Sequence, residues 1–173
     1  MDLFSAASVE GGRFEELTAT FENLSVFDTI FPSEEQLRDA VRAVLNHVQS
    51  LLQADRPSVT DKKILQSKGI GMVGVADFFV EHGSQKLPVI LVRNWDYERG
   101  LAKAYVMADM VMDNCDERGE RCDEVRGIVT DCIEWIFFKR SRGEIVLCSD
   151  AIPPCDVSCV EKVASRLYWM LQN

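Results

Sequence analysis

Apolar residues recur at helical spacing in four stretches of the chain and at strand spacing between them. Phe14, Leu17, Phe21 and Leu24 predict a short amphipathic helix near the start, weakened by Thr18, Thr20 and Asn23. Pro32 and Ser33 open a second helix, with Ser33 and Gln36 spaced as a capping box. Leu37, Val41, Val44, Leu45, Val48, Leu51 and Leu52 form its apolar stripe. Residues 54–68 are polar and contain Pro57, which predicts a loop with a short helical turn over Asp61–Gln66. Met72–Val80 and Pro88–Val92 read as strands, the second buried on both faces, around a turn at Glu81–Ser84. Asp96 is placed to cap a third helix, whose stripe of Leu101, Ala104, Tyr105, Ala108, Val111 and Met112 runs to about Cys115. A charged loop is expected over Asp113–Glu124. Strands are expected at Val125–Ile133, Glu134–Lys139 and Glu144–Cys148, the last two joined by a hairpin turn over Arg140–Gly143. After Pro153 and Pro154, Asp156 is expected to cap a final helix. The economical packing of this order is α/β: a mixed sheet of about five strands flanked by helices. The expected division is an N-terminal arm, residues 1–32, and one domain over residues 33–173.

Composition narrows the class. Hydrophobic residues make up 47% and charged residues 27% of 173 positions, as in a globular domain with one sizeable core. The formal net charge of −9 disfavours DNA or RNA as a partner unless a local patch overrides it. No stretch has the roughly 18 uninterrupted apolar residues of a membrane helix, so no membrane partner is expected. Asp2 and Glu10, with no basic start, argue against a secretory signal. A setting in the cytoplasm or the nucleus is expected.

The six cysteines are Cys115, Cys122, Cys132, Cys148, Cys155 and Cys159. Their plain reading is reduced thiols, Cys132 and Cys148 serving as small core residues. A four-thiolate zinc site from Cys115, Cys122, Cys155 and Cys159 is the rival, on looser spacing than paired CxxC motifs.

The chemistry with most to test is metal-assisted phosphodiester cleavage, which needs carboxylates converging on a divalent cation and often a lysine beside them. Two adjacent strands supply this when one carries Asp and the next Glu-x-Lys, whose side chains share a face. The sequence offers Gly74-Val75-Ala76-Asp77-Phe78, then Pro88 to Arg93, then Gly100-Leu101-Ala102. Gly127-Ile128-Val129-Thr130-Asp131 follows, leading to Trp135-Ile136-Phe137. In order and spacing this resembles the PD-(D/E)XK nuclease superfamily over about residues 33–150. The resemblance implies a restriction-endonuclease-like fold and puts Asp77 where the family keeps its first metal carboxylate. The Glu-x-Lys positions then fall on Leu91 and Arg93, or on Val92 and Asn94, and neither register holds a carboxylate. Lys103 matches the family's frequent helix Gln, and Glu34 or Glu35 stands in for its first-helix Glu.

One aspartate is a poor divalent site alone. Arg93 or Lys103 beside Asp77 would instead form an ion pair where the metal would sit. The resemblance therefore implies a pseudonuclease with no cofactor and no metal, acting through protein partners as a scaffold. The chain is also similar in overall character to the pseudonuclease domain of a kinetoplastid kinetochore protein, which implies a role in chromosome segregation and a place in the nucleus, with the cytoplasm as the alternative. Trp95 and the aromatic arm, with Phe4, Phe14 and Phe21, are the interaction candidates, each with a plain packing alternative. Three rival readings stand beside this one. The first is an active nuclease with a migrated site built from Asp77, Asp96, Glu98 and Lys103. The second is a non-cleaving nucleic-acid binder using Lys62, Lys63, Arg93, Lys139, Arg140 and Arg142. The third is an effector, secreted into a host or nuclear, built on the same fold.

Overall fold

A computed structural model describes residues 14–24, 32–52, 55–151 and 158–173, the last four residues of the 55–151 stretch by backbone alone. The helix capped by Asp156, as far as its cap is concerned, and the Pro153-Pro154 stop fall outside these residues, as do Phe4 and Cys155. The fold is mixed α/β, and its contacts divide the chain into two compact units.

The first unit gathers the described residues of Met1–Arg56, Asp131–Trp135 and Asp150–Asn173. Its helices are α1 (Glu15–Leu24), α2 (Glu34–Leu51) and α4 (Ser158–Gln172), with α2 packed against both of the others. The capping box is formed: Gln36 N donates to Ser33 Oγ at 3.2 Å, and Ser33 N donates to Gln36 Oε1 at 2.9 Å. Leu37, Val41, Val44, Leu45 and Val48 are buried along α2, and Val160, Val163, Leu167 and Met170 along α4. Each stripe repeats every three to four residues because only that spacing keeps one helix face inward. The segment Asp131–Trp135 opens on a tight turn and runs into a strand. Asp131 Oδ1 accepts from Ile133 N and Glu134 N, both at 2.9 Å, and Cys132 takes φ +71°. Trp135 is buried, its Nε1 donating to Cys132 O at 3.2 Å.

The second unit, Pro57–Thr130 with Ile136–Ser149, carries most of a six-stranded sheet. Its strands are β1 (Ser58–Ser67), β2 (Met72–His82), β3 (Gln85–Leu91), β4 (Glu124–Thr130), β5 (Glu134–Ser141) and β6 (Glu144–Ala151). They lie side by side in chain order. The pairs β1–β2 and β2–β3 are antiparallel, while β3–β4 is parallel and is joined by α3 (Tyr97–Glu117). One core lies between α3 and the sheet and includes Ile90, Val92, Met107, Val111, Val129 and Phe138.

Four expectations change. Residues 58–67 form β1 and not a loop with a helical turn, so the sheet has six strands rather than five. The strand is polar because it is an edge with much of its surface in water, and its pairing with β2 outweighs its local composition. Second, α3 continues through Glu117, which shortens the charged loop. Met107, Val111 and Cys115 are buried, so the inward stripe persists past the acidic residues that suggested a loop. Third, β4 stops at Thr130 because Asp131 closes its turn there. Fourth, the second hairpin turn narrows to Arg142-Gly143, with Gly143 at φ +89°.

Candidate functional site

β2 and β3 part company at Asp77. Their ladder runs from His82↔Gln85 to Phe78↔Val89, and beyond it Leu91 N–H donates to Asp77 Oδ2 at 3.0 Å. A side-chain carboxylate thus takes a backbone donor where the strands fork. Ala76 and Phe79 both belong to the α3-facing core, although strict alternation would put them on opposite faces. The strand therefore changes face between them, at Asp77. Across the β1–β2 ladder, Lys62 lies between the pairs Asp61↔Phe78 and Lys63↔Ala76 and adopts φ +51°. Both strands depart from regular geometry at the same rung.

The same oxygen of Asp77 meets Lys103 Nζ of α3 at 3.3 Å. Lys103 is one of the two cations expected near Asp77, and it is paired with it. Leu91 lies beside the carboxylate through its amide. Val92 is buried in the α3 core, and Arg93 and Asn94 are exposed where the chain leaves β3. Neither Glu-x-Lys register contributes an acid.

An open cleft of about 500 Å³ lies at the start of α3, lined by Leu91, Arg93, Asn94, Asp96, Arg99 and Lys103 among others. Three of these six are cationic in a chain of net charge −9. Asp96 caps the helix, its Oδ1 accepting from Arg99 N at 3.3 Å. Glu98 is exposed in the first turn and does not line the cleft. α3 sits unusually close to the strands because its fourth residue is Gly100. A Cβ there would lie 2.2 Å from Val92 Cγ1 and 2.9 Å from Val129 Cγ1. Among the described residues, no group of three or more His, Cys, Asp or Glu side chains is placed to hold a metal ion. Glu34 and Glu35 stand in the first turn of α2, in the other unit.

Asn94 and Trp95 turn the chain from β3 into α3 with φ +52° and +58°. A tryptophan in the left-handed region is sterically costly. The result holds its ring out in solvent, 64% exposed. The other aromatic candidates differ from it. Phe21 is buried in the helical unit at 1% exposure, and Phe14 is half-buried against the His47 ring at 5.0 Å.

The cationic patch read from the sequence is largely neutralised within the sheet unit. Lys139 pairs with Glu124 at 3.6 Å, Arg140 with Asp109 at 2.9 Å, and Arg142 with Asp116. Arg99, which the sequence did not single out, is in the cleft instead.

A second polar cluster has no signal in the sequence, because its members come from β3, the end of α3 and the loop after it. Lys86 Nζ lies 3.1 Å from Cys115 Sγ and is salt-bridged to Glu120. Burial alone would lower the Lys86 pKa, but its bonds to Glu120 and Cys115 outweigh that and leave it raised. Burial, with a hydrogen bond to Cys115, pushes the Cys122 thiol up to about 12. Cys115, Cys122, Cys132 and Cys159 carry thiols rather than disulfides.

Comparison with known proteins gives a partial match. Crinkler effector protein 5 of Phytophthora infestans is 30% identical over 105 residues, covering 57% of this chain. The chain spans only 28% of that relative's length. No known family description and no solved structure matches the chain.

Proposed function

We propose that this chain is a non-catalytic, nuclease-like domain of the PD-(D/E)XK type that acts by binding a protein partner within an effector-type protein. One observation carries the reading: Asp77 Oδ2 is held by the Lys103 ammonium and the Leu91 amide. Asp77 is on β2 and Leu91 ends the neighbouring β3, the pair of adjacent strands on which such nucleases set their Asp and their Glu-x-Lys. A hard cation needs several oxygen ligands. Here an apolar side chain replaces the second acid, and a fixed positive charge stands beside the first. The effector setting comes from the name of the partial relative, and the binding role from Trp95 held in solvent at the strand end. Isothermal titration with Mg²⁺ and Mn²⁺ tests the proposal, alongside cleavage assays on single- and double-stranded DNA and RNA. The expected result is no tight binding and no cleavage. Tight Mn²⁺ binding that Asp77→Ala abolishes overturns it.

A second reading rests on the cleft lined by Arg93, Arg99 and Lys103, which suits a phosphate-bearing ligand that is bound and not cut. Oligonucleotide binding that strengthens steeply at low salt supports it, and no binding at low salt removes it.

A further inference from the structure

Five of the eight large apolar side chains exposed among the described residues lie on one ribbon: Ile64, Ile70, Met72, Val73 and Val75. The register explains their grouping. Ile64 pairs with Val75 and Gln66 with Val73, so these four share one face of β1–β2. On the other face, Leu65 pairs with Gly74, whose missing Cβ would lie 2.5 Å from Met107 Sδ of α3. One face is thus packed on α3, while Ile64 and Val73 on the other are 66% and 63% exposed. β1 is also the first strand of the sheet, and among the described residues no strand lies on its outer side. An edge of this kind can accept an added strand.

Charge selects the occupant. Residues 58–76 hold Lys62, Lys63 and Lys68 against Asp61, in a chain whose net charge is −9, and Lys63 is in turn paired with Glu81 of β2 at 4.0 Å, so Lys62 and Lys68 carry the attraction. A second copy is a poor fit. Two β1 edges laid antiparallel about their midpoints would bring Lys62 of one opposite Lys63 of the other, and like charges directly opposite destabilise a strand pair. We infer that the β1 edge and the Ile64–Val73–Val75 face form a docking surface for a short extended segment of a protein partner in which apolar residues alternate with small polar ones between acidic ends. The segment adds to the sheet along Lys63–Ser67, beyond the left-handed residue Lys62. Its apolar side chains lie beside Ile64 and extend the apolar face of Ile64, Val73 and Val75, and the carboxylates at its two ends meet Lys62 and Lys68, which flank Lys63–Ser67.

This inference rests on the reading of the chain as a binding domain. Its test is fluorescence anisotropy of the full chain with a labelled short acidic peptide, valine and threonine alternating between terminal glutamates. A lysine–valine peptide and phosphatidylserine vesicles serve as comparison arms. Expected is saturable binding of the acidic peptide, weakened about tenfold or more by Ile64→Glu or Val73→Glu. Lys68→Glu, in the turn outside the strand, weakens it as well, and unchanged thermal melts show that the variants fold. Four outcomes overturn the inference: no binding of the acidic peptide, equal binding of the lysine–valine peptide, vesicle binding in its place, or self-association that Ile64→Glu abolishes. Such a failure alongside a silent Mn²⁺ titration discards this surface and leaves the pseudonuclease reading standing.

Discussion

Lys103 Nζ lies 3.3 Å from Asp77 Oδ2, the oxygen that also accepts Leu91 N–H at 3.0 Å. The two bonds differ in weight. The Lys103 side chain is 42% exposed, so its pair with Asp77 is well screened. Exposed ion pairs contribute about 0–1 kcal/mol. The Leu91 amide lies at the strand fork and loses its acceptor if the carboxylate goes, which costs roughly 1–3 kcal/mol for a buried donor. Lys103→Met is therefore expected to change stability little, and Asp77→Ala to destabilise more. Urea denaturation of both variants measures the difference.

Gly100 lets α3 approach β3 and β4. Gly100→Ala places a methyl 2.2 Å from Val92 Cγ1, closer than any real contact, so the helix or Val92 must shift. Overpacking of this kind costs about 1–3 kcal/mol. The alanine's better helix propensity returns roughly 1 kcal/mol at most. A net loss of stability is expected in chemical denaturation, with partial recovery when Val92→Ala opens the space.

His47 gives the helical unit a pH dependence. Burial holds its pKa below the ordinary 6.5, only partly offset by the negative charge of Glu16. A lowered folded-state pKa means that the unfolded chain takes up the proton first on acidification. The contribution of neutral His47 is fully present above about pH 6.5 and is lost as pH falls through that value toward the folded-state pKa. Stability curves measured between about pH 8 and about pH 5 should show this loss, and His47→Gln should flatten it.

Much of this arrangement was legible in the sequence, for local reasons. The Ser33–Gln36 box and the Asp96 cap are signals contained within one helical turn, and both form. The buried β3 showed itself as a continuous apolar run. The absence of an acid at Leu91–Asn94 could also be read directly. Other parts were hidden because they depend on distant partners. β1 looks like a loop until β2 is laid beside it, and the exposed ribbon face is invisible without that pairing. Arg140 and Arg142 look like a patch until Asp109 and Asp116 of α3 are seen beneath them. For Asp77 the sequence offered Arg93 and Lys103 alike as partners. The lysine is on the helix that Gly100 brings close, and its bond to Asp77 forms.

The order of strands in the sheet matches their order in the chain, and this has a kinetic consequence. Each strand can pair with its predecessor soon after it emerges from the ribosome, so the sheet unit closes few long loops and its contact order stays low. The helical unit is the opposite case, stitched from segments that begin before Arg56 and finish with α4. It cannot be completed until almost the whole of this stretch has been made. Synthesis from one end should therefore let β1, β2 and β3 pair early and leave the three-helix packing until last, with the buried faces of α1 and α2 exposed to chaperones and proteases in the interval.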